Sequence, residues 1–245
     1  MTRTYLILAF CGFQLAGTAA SLAQAGEIEI LPSDFTLDGR ESQQQLSVVR
    51  MVEDRVSASI PATELELESS DPSIARIEGG IVRPIGNGST TIVARQADGT
   101  EAKATVEVTG VELEHRWSFR NDVQSVISKI GCNSGACHGA LAGKGGFRLS
   151  LRGYNPEADF LTITREARGR RIELADPGKS LILTKPTGVL PHKGGLKLDP
   201  GSRDYRVLAE WIATGAQGPR DEHPRLVSIS VMPEASLLRP GDHSR

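Results

Sequence analysis

The chain has 245 residues, with 28 Lys and Arg against 30 Asp and Glu, and only 4% aromatic residues. That length suffices for one large or two small domains. The near balance of charge provides no basic field for nucleic acid and no single-sign tail for a charged partner, and the scarcity of rings leaves a core to aliphatic side chains or to something large that is not an amino acid.

Residues 1–25 read as a cleaved export signal. Arg3 supplies the positive start, an apolar stretch runs from Tyr5 to Leu15, and Ala23-Gln24-Ala25 is a small-residue cleavage site. A membrane anchor needs about 20 consecutive apolar residues, and Gln14 interrupts the run first. The bulky Phe10 before Cys11 argues against lipidation. The expected location is therefore exported, in the periplasm or at the cell surface, with no membrane insertion beyond the signal. Cleavage removes Cys11 and leaves Cys132 and Cys137 as the remaining thiols. One close pair is not a disulfide scaffold, so the two have a local task.

Residues 26–110 are expected to be all-β. "EIEILP", "QQLSVVRMV", "TELELESS", "ARIEGGIVRPI", "STTIVARQ" and "KATVEVTG" are short β-rich runs, many alternating apolar with polar residues. Asp71-Pro72-Ser73, Gly79-Gly80, Gly86-Asn87-Gly88 and Asp98-Gly99 are turn chemistry between them. Asp98-Gly99 is the strongest hairpin signal, because both positions tolerate positive φ. The spacing predicts an immunoglobulin-like β-sandwich. The run "LESSDPSIARIEGGIVRPIGNGSTTIVARQADGTEAKATVEVTG" resembles the second half of a bacterial Ig-like domain of group 2. That resemblance implies a spacer or adhesive module without chemistry of its own.

The β pattern breaks across 111–120, which reads as a linker. A helix is predicted from Asn121 or Asp122 as cap, with Val123, Val126, Ile127 and Ile130 on one apolar stripe and Gly131 ending it. A Gly-rich stretch follows through Gly146. A second helix is predicted over "SRDYRVLAEWIATGA", with Ser202 as N-cap and Gly215 just past the end. Between them, "ADPGKSLILTKPTGVLPHKGGLKLDPG" reads as loop, with one apolar run at Leu181–Leu183. From Leu226 the sequence returns to strand-like alternation, so that 221–245 reads as the truncated start of a further β-rich domain.

The chemistry gathers in "GCNSGACHG". Covalent haem attachment uses two thiols to reach the two porphyrin vinyl groups and a His beside the second Cys to reach the iron. Here four residues, not two, separate Cys132 from Cys137, and His138 follows. Gly135, with the small Asn133, Ser134 and Ala136, makes an outward bulge inexpensive, and Gly131 and Gly139 would let the backbone approach a flat ligand. Three alternatives stay open: a Cys132–Cys137 disulfide closing a small loop, a strained zinc site, and a Cys-His nucleophile pair without an orienting third group. A sixth iron ligand is commonly Met or His. Met51 lies in the β region and Met232 beyond the last helix, which leaves His192 in "TGVLPHKGG" as the distal candidate, with His115 and His223 as weaker ones.

The segment "HRWSFRNDVQSVISKIGCNSGACHGALAGKGGFRLSLRGYNPEADFLTITREARGRRIELADPGKSLILTKPTGVLPHKGGLKLDPGSRDYRVLAEWIATGAQGP" resembles the cytochrome c-like domain of large exported planctomycete-type proteins, which accompanies group 2 Ig-like domains there. The resemblance implies Cys132 and Cys137 as thioether positions, His138 as proximal ligand and His192 as distal ligand, with haem c and its iron covalently attached in a domain over 121–220. The expectation is a multidomain protein: an all-β immunoglobulin-like sandwich, then a small, mainly α cytochrome c-like domain. It would carry electrons to or from a redox partner protein and would not be an enzyme by itself. The competing reading is a cell-envelope or surface interaction protein whose Cys loop is a structural disulfide.

Overall fold

The computed structural model describes residues 27–53 and 55–231; the export segment and Met232 lie outside them. Ten strands come first: β1 (Glu27–Leu31), β2 (Asp34–Asp38), β3 (Gln44–Gln45), β4 (Ser47–Val52), β5 (Arg55–Ile60), β6 (Glu66–Ser69), β7 (Ala75–Glu78), β8 (Ile81–Pro84), β9 (Gly88–Arg95) and β10 (Glu101–Thr109). They form three sheets, in the orders β1-β4-β5, β2-β10-β9-β6 and β3-β8-β7. All neighbours are antiparallel except β2, which runs parallel to β10.

β10 shows why this region is a sheet. Ala102, Ala104, Val106 and Val108 point into the core, while Glu101, Lys103, Thr105 and Glu107 face water, the period of two that the sequence displays. Ile28, Ile30, Leu37, Val48, Val82 and Ile92 meet these residues from the other strands. The four alanines Ala75, Ala94, Ala102 and Ala104 are all buried there. Burying each Ile, Val or Leu contributes about 1.5–3 kcal/mol. The predicted Asp98-Gly99 hairpin joins β9 to β10, with Gly99 at φ +88° and Asp98 accepting from the Thr100 N–H at 2.9 Å. The sequence reading omitted β2 and β5. Residues 226–231, expected as strand, form no strand, and Leu226, Val227, Ile229 and Val231 are exposed.

A second core lies in a mainly helical module. It starts before residue 121: Trp117 and Phe119, in the stretch expected to be a linker, are 5% and 0% exposed. A wide helical turn over Phe119–Val123 leads into α1 (Gln124–Lys129), followed by α2 (Pro156–Thr164), α3 (Leu181–Thr184) and α4 (Arg203–Ala213). The first cap is Ser118, not Asn121 or Asp122; its side chain accepts the Asn121 N–H. The apolar stripe holds, with Val123, Val126 and Ile127 buried. At α4 the Ser202 cap and the Gly215 terminus are both as predicted, Gly215 at φ +96°. α2 was unforeseen; Asn155 caps it and Pro156 opens it.

The chain's few rings are unevenly spread. Trp117, Phe119 and Trp211 are buried in the helical module, with Phe147, Phe160 and Tyr205 packed at its margin. These rings pack with aliphatic side chains, Val123, Ile127, Ile163, Leu183, Leu208 and Ile212 among them, in the second core. Trp211 on α4 donates to the Gln217 carbonyl and packs 5.5 Å from Phe119 instead of facing a ligand. The two modules meet where Arg206 makes a two-pronged contact with the Glu41 carboxylate at 2.8 and 2.6 Å.

Candidate haem and metal site

Cys132 is fixed by the way α1 ends. Gly131 adopts φ +80°, its N–H donates to the Ser128 carbonyl at 3.1 Å, and the Cys132 N–H donates to the Ile127 carbonyl at 3.0 Å. This is the paired closure of a Schellman terminus. Nothing lies within 4 Å of where a Gly131 Cβ would sit, so among the protein's own atoms it is the positive φ that calls for glycine here.

The next residues close into a ring of main-chain bonds. The Cys132 carbonyl accepts the His138 N–H at 2.9 Å, and the Ser134 carbonyl accepts from Cys137 and Gly139 at 3.0 and 2.9 Å. The insert does bulge outward at Gly135 and Ala136, which are exposed. Asn133 behaves differently from expectation. It is 2% exposed, its amide donates to Ser128 Oγ at 2.7 Å and its carbonyl accepts from Arg152. Gly139 is constrained from inside the ring, since a Cβ there would overlap the Asn133 carbonyl. The glycine therefore permits loop closure, in place of the predicted approach to a flat ligand.

Both candidate histidines are oriented by backbone carbonyls. His138 Nδ1 lies 3.0 Å from the Phe147 carbonyl and His192 Nδ1 3.2 Å from the Gly195 carbonyl. A carbonyl can only accept, so each Nδ1 carries a hydrogen, and in a neutral ring so anchored the lone pair is on Nε2. That is the tautomer and anchoring of a metal-ligating His. The carbonyl facing His138 is presented by a tight turn, in which Lys144 and Phe147 exchange backbone hydrogen bonds across Gly145-Gly146. His192 sits in a loop tied back to the end of α3 by Leu190 N–H to the Thr184 carbonyl, 3.0 Å. Gly194 passes beneath its ring, where a Cβ would come within 2.7 Å of Cε1.

The two imidazoles are brought together from positions 54 residues apart in sequence. Their ring centroids are 6.3 Å apart and their planes differ by 12°. Burial, above all, and the nearby His192 lower the pKa of His138, which favours its neutral form. His115 and His223 are elsewhere: His115 packs edge-on against Trp117 and His223 meets Ser118 Oγ.

Cys132 and Cys137 are partly buried free thiols, not joined to each other. Burial first, and the neighbouring Cys137 second, push the Cys132 thiol up to about 11, against a smaller lowering by Lys197. A thiol so held is protonated at neutral pH in the metal-free protein and is not an activated nucleophile. Among the described residues no three His, Cys, Asp or Glu side chains converge in a metal-binding group, so a four-ligand zinc centre has no donor set here. A separate cleft of about 670 Å³ lies between the modules, lined by Arg40, Glu41, Arg83, Arg203, Arg206 and Glu210, and contains none of the predicted site residues. Among the described residues no helix is long and apolar enough to cross a membrane.

Sequence reasoning missed the parts played by Asn133 and Phe147. The first could be suspected from its place between two cysteines; the second acts through its main-chain carbonyl, which no residue pattern announces.

No protein family matches the chain, and no curated protein does. Among solved structures, it is similar to the intimin–Tir90 complex at 20% identity and a TM-score of 0.25, over 42% of this chain and 58% of that one. It is similar to the C-terminal 282-residue fragment of intimin, in complex with the intimin-binding domain of the translocated intimin receptor, at 20% identity and a TM-score of 0.23, over 41% and 36%. The chain thus spans less than two thirds of either structure, and likenesses this slight carry no functional argument.

Proposed function

We propose that this is an exported c-type haem protein, in which a group 2 Ig-like spacer precedes a cytochrome c-like module that carries one electron at a time. The observation that carries the reading is the His138–His192 pair. A His nitrogen binds a first-row metal at about 2 Å, so two imidazoles on opposite sides of one iron have centres about 6 Å apart. The observed centroid distance of 6.3 Å matches that spacing, and the two carbonyl-bound Nδ1 atoms leave Nε2 as the nitrogen for a metal. A porphyrin supplies the remaining four nitrogens itself, so two protein donors are the full set needed.

The surroundings fit too. Leu141, Val189 and Leu196, on the loops that carry the two histidines, are 84%, 72% and 75% exposed. A bound apolar group beside the histidines would have such side chains on these loops to cover. Cys132 and Cys137 would hold the group through thioether bonds, each formed by net addition of a thiol S–H across one vinyl group, which would consume no oxidant. His138 and His192 would hold the iron, a pair expected to set a lower potential than His with Met. Bound there, the iron supplies a one-electron couple to a redox partner protein.

Expression in a host with c-type maturation tests the reading. A Soret band that survives acid–acetone extraction, with a mass increase of one haem, is the expected result. A colourless protein with the mass of its bare residues from such a host overturns it.

A further inference from the structure

Behind His138 lies a buried cation that the axial ligands do not account for. Arg171 is 5% exposed. Its guanidinium donates to the carbonyls of Thr162 at 2.6 Å, Glu166 at 3.2 Å and Gly146 at 2.7 Å. All three partners are neutral, and none of the ion pairs among the described residues includes Arg171. The same guanidinium lies over the Phe147 ring, 4.6 Å from its centroid. Phe147 packs at 4.5 Å against the His138 ring and receives its Nδ1–H on the carbonyl. Arg171 thus grips the Gly146-Phe147 unit by its backbone and its ring, and that unit aims the imidazole.

A guanidinium keeps its charge when buried, and a buried charge held by carbonyl dipoles and an aromatic face, with no carboxylate among the described residues in ion-pair contact, is a costly arrangement that an apolar side chain would avoid. We propose, resting on the haem reading above, that Arg171 is a positioning residue for His138 and a fixed positive charge that raises the midpoint potential of the iron. The oxidised iron carries one more positive charge than the reduced iron, so a nearby cation disfavours the oxidised form. With Arg171 only 5% exposed, that interaction is screened less than one between surface charges.

Spectroelectrochemical titration of haem-loaded Arg171→Gln, with an electrode exchanging the electron, tests this. Retention of the low-spin spectrum with a midpoint potential below that of the unmodified protein is expected. A low-spin variant with an unchanged midpoint overturns the proposal. If the glutamine variant does not fold or turns high spin, Arg171→Lys decides, because a buried ammonium deprotonates at reachable pH. A midpoint that falls more steeply with rising pH than in the unmodified protein supports the charge role, and an identical pH profile overturns it. A colourless unmodified protein, evident before any titration, would instead refute the haem reading on which the proposal stands.

Discussion

Replacing Gly139 by alanine tests the architecture of the Cys-His ring most directly. The added Cβ would overlap the Asn133 carbonyl oxygen, come 2.8 Å from its carbon and 2.9 Å from the Ser134 oxygen. All three are backbone atoms, so relief requires the ring to open and not a side chain to turn. Overpacking of this kind costs about 1–3 kcal/mol. In a module of this size each kcal/mol lowers Tm by roughly 4–8 °C, so the expected loss is on the order of 5–20 °C. Gly135→Ala is the control four residues away, since the nearest atom to its Cβ would be a Leu151 methyl at 4.0 Å. That substitution should leave Tm unchanged or slightly raised, because alanine restricts the unfolded chain. Both tryptophans, Trp117 and Trp211, lie in the helical module, so their fluorescence follows its unfolding alone. Opening of the ring should also speed reaction of Cys132 with a thiol reagent. Equal melting temperatures and equal thiol reactivity for the two variants would refute the loop geometry described here.

Three further outcomes are expected. On haem-loaded protein, His192→Ala shifts the absorption spectrum toward high spin, and Cys137→Ala makes pigment easier to lose in acid–acetone; an unshifted spectrum removes His192 from the ligand set. Asp159 is 2% exposed and accepts from Ser150 N–H at 2.5 Å, Ser150 Oγ at 2.7 Å and Gln124 Nε2 at 2.6 Å, so Asp159→Ala leaves buried donors unpaired and lowers unfolding free energy by about 2–5 kcal/mol in denaturant titration. The hydrogen bond from Arg206 lowers the Glu41 pKa despite the opposing effect of burial, so the pair stabilises the fold above the unfolded carboxylate pKa of about 4.3 and loses that contribution as pH falls through the lower folded value. Arg206 is 43% exposed, which limits the gain to below about 1 kcal/mol. The Tm difference between the unmodified protein and Glu41→Gln should therefore be small at pH 7 and vanish in acid; a difference that persists at pH 2 contradicts the assignment.

What the sequence revealed and concealed follows from the range of the forces involved. β10 and α4 were legible because their periodicity and caps are local: alternate residues face one side, and Ser202 and Gly215 punctuate the helix. β2 was hidden because its partner is β10, some seventy residues away, in the single parallel pairing of the described sheets. β5 follows β4 through a turn in which Glu53, not glycine or asparagine, takes φ +50°. α2 carried a readable start in Asn155-Pro156-Glu157 that its weak apolar pattern obscured. Within the site, the Cys-His motif and His192 could be named from sequence, but their orientation could not. Main-chain carbonyls of Phe147 and Gly195 set that orientation, and carbonyls are common to every residue.

The ring from Cys132 to Gly139 is cinched by its own peptide groups, and its outermost residues, Gly135 and Ala136, are exposed to water. Those two positions are consequently a permissive handle. A fluorophore or a surface-tethering group could be grafted there, beside both cysteines in the chain, while the main-chain bonds that close the ring are left in place.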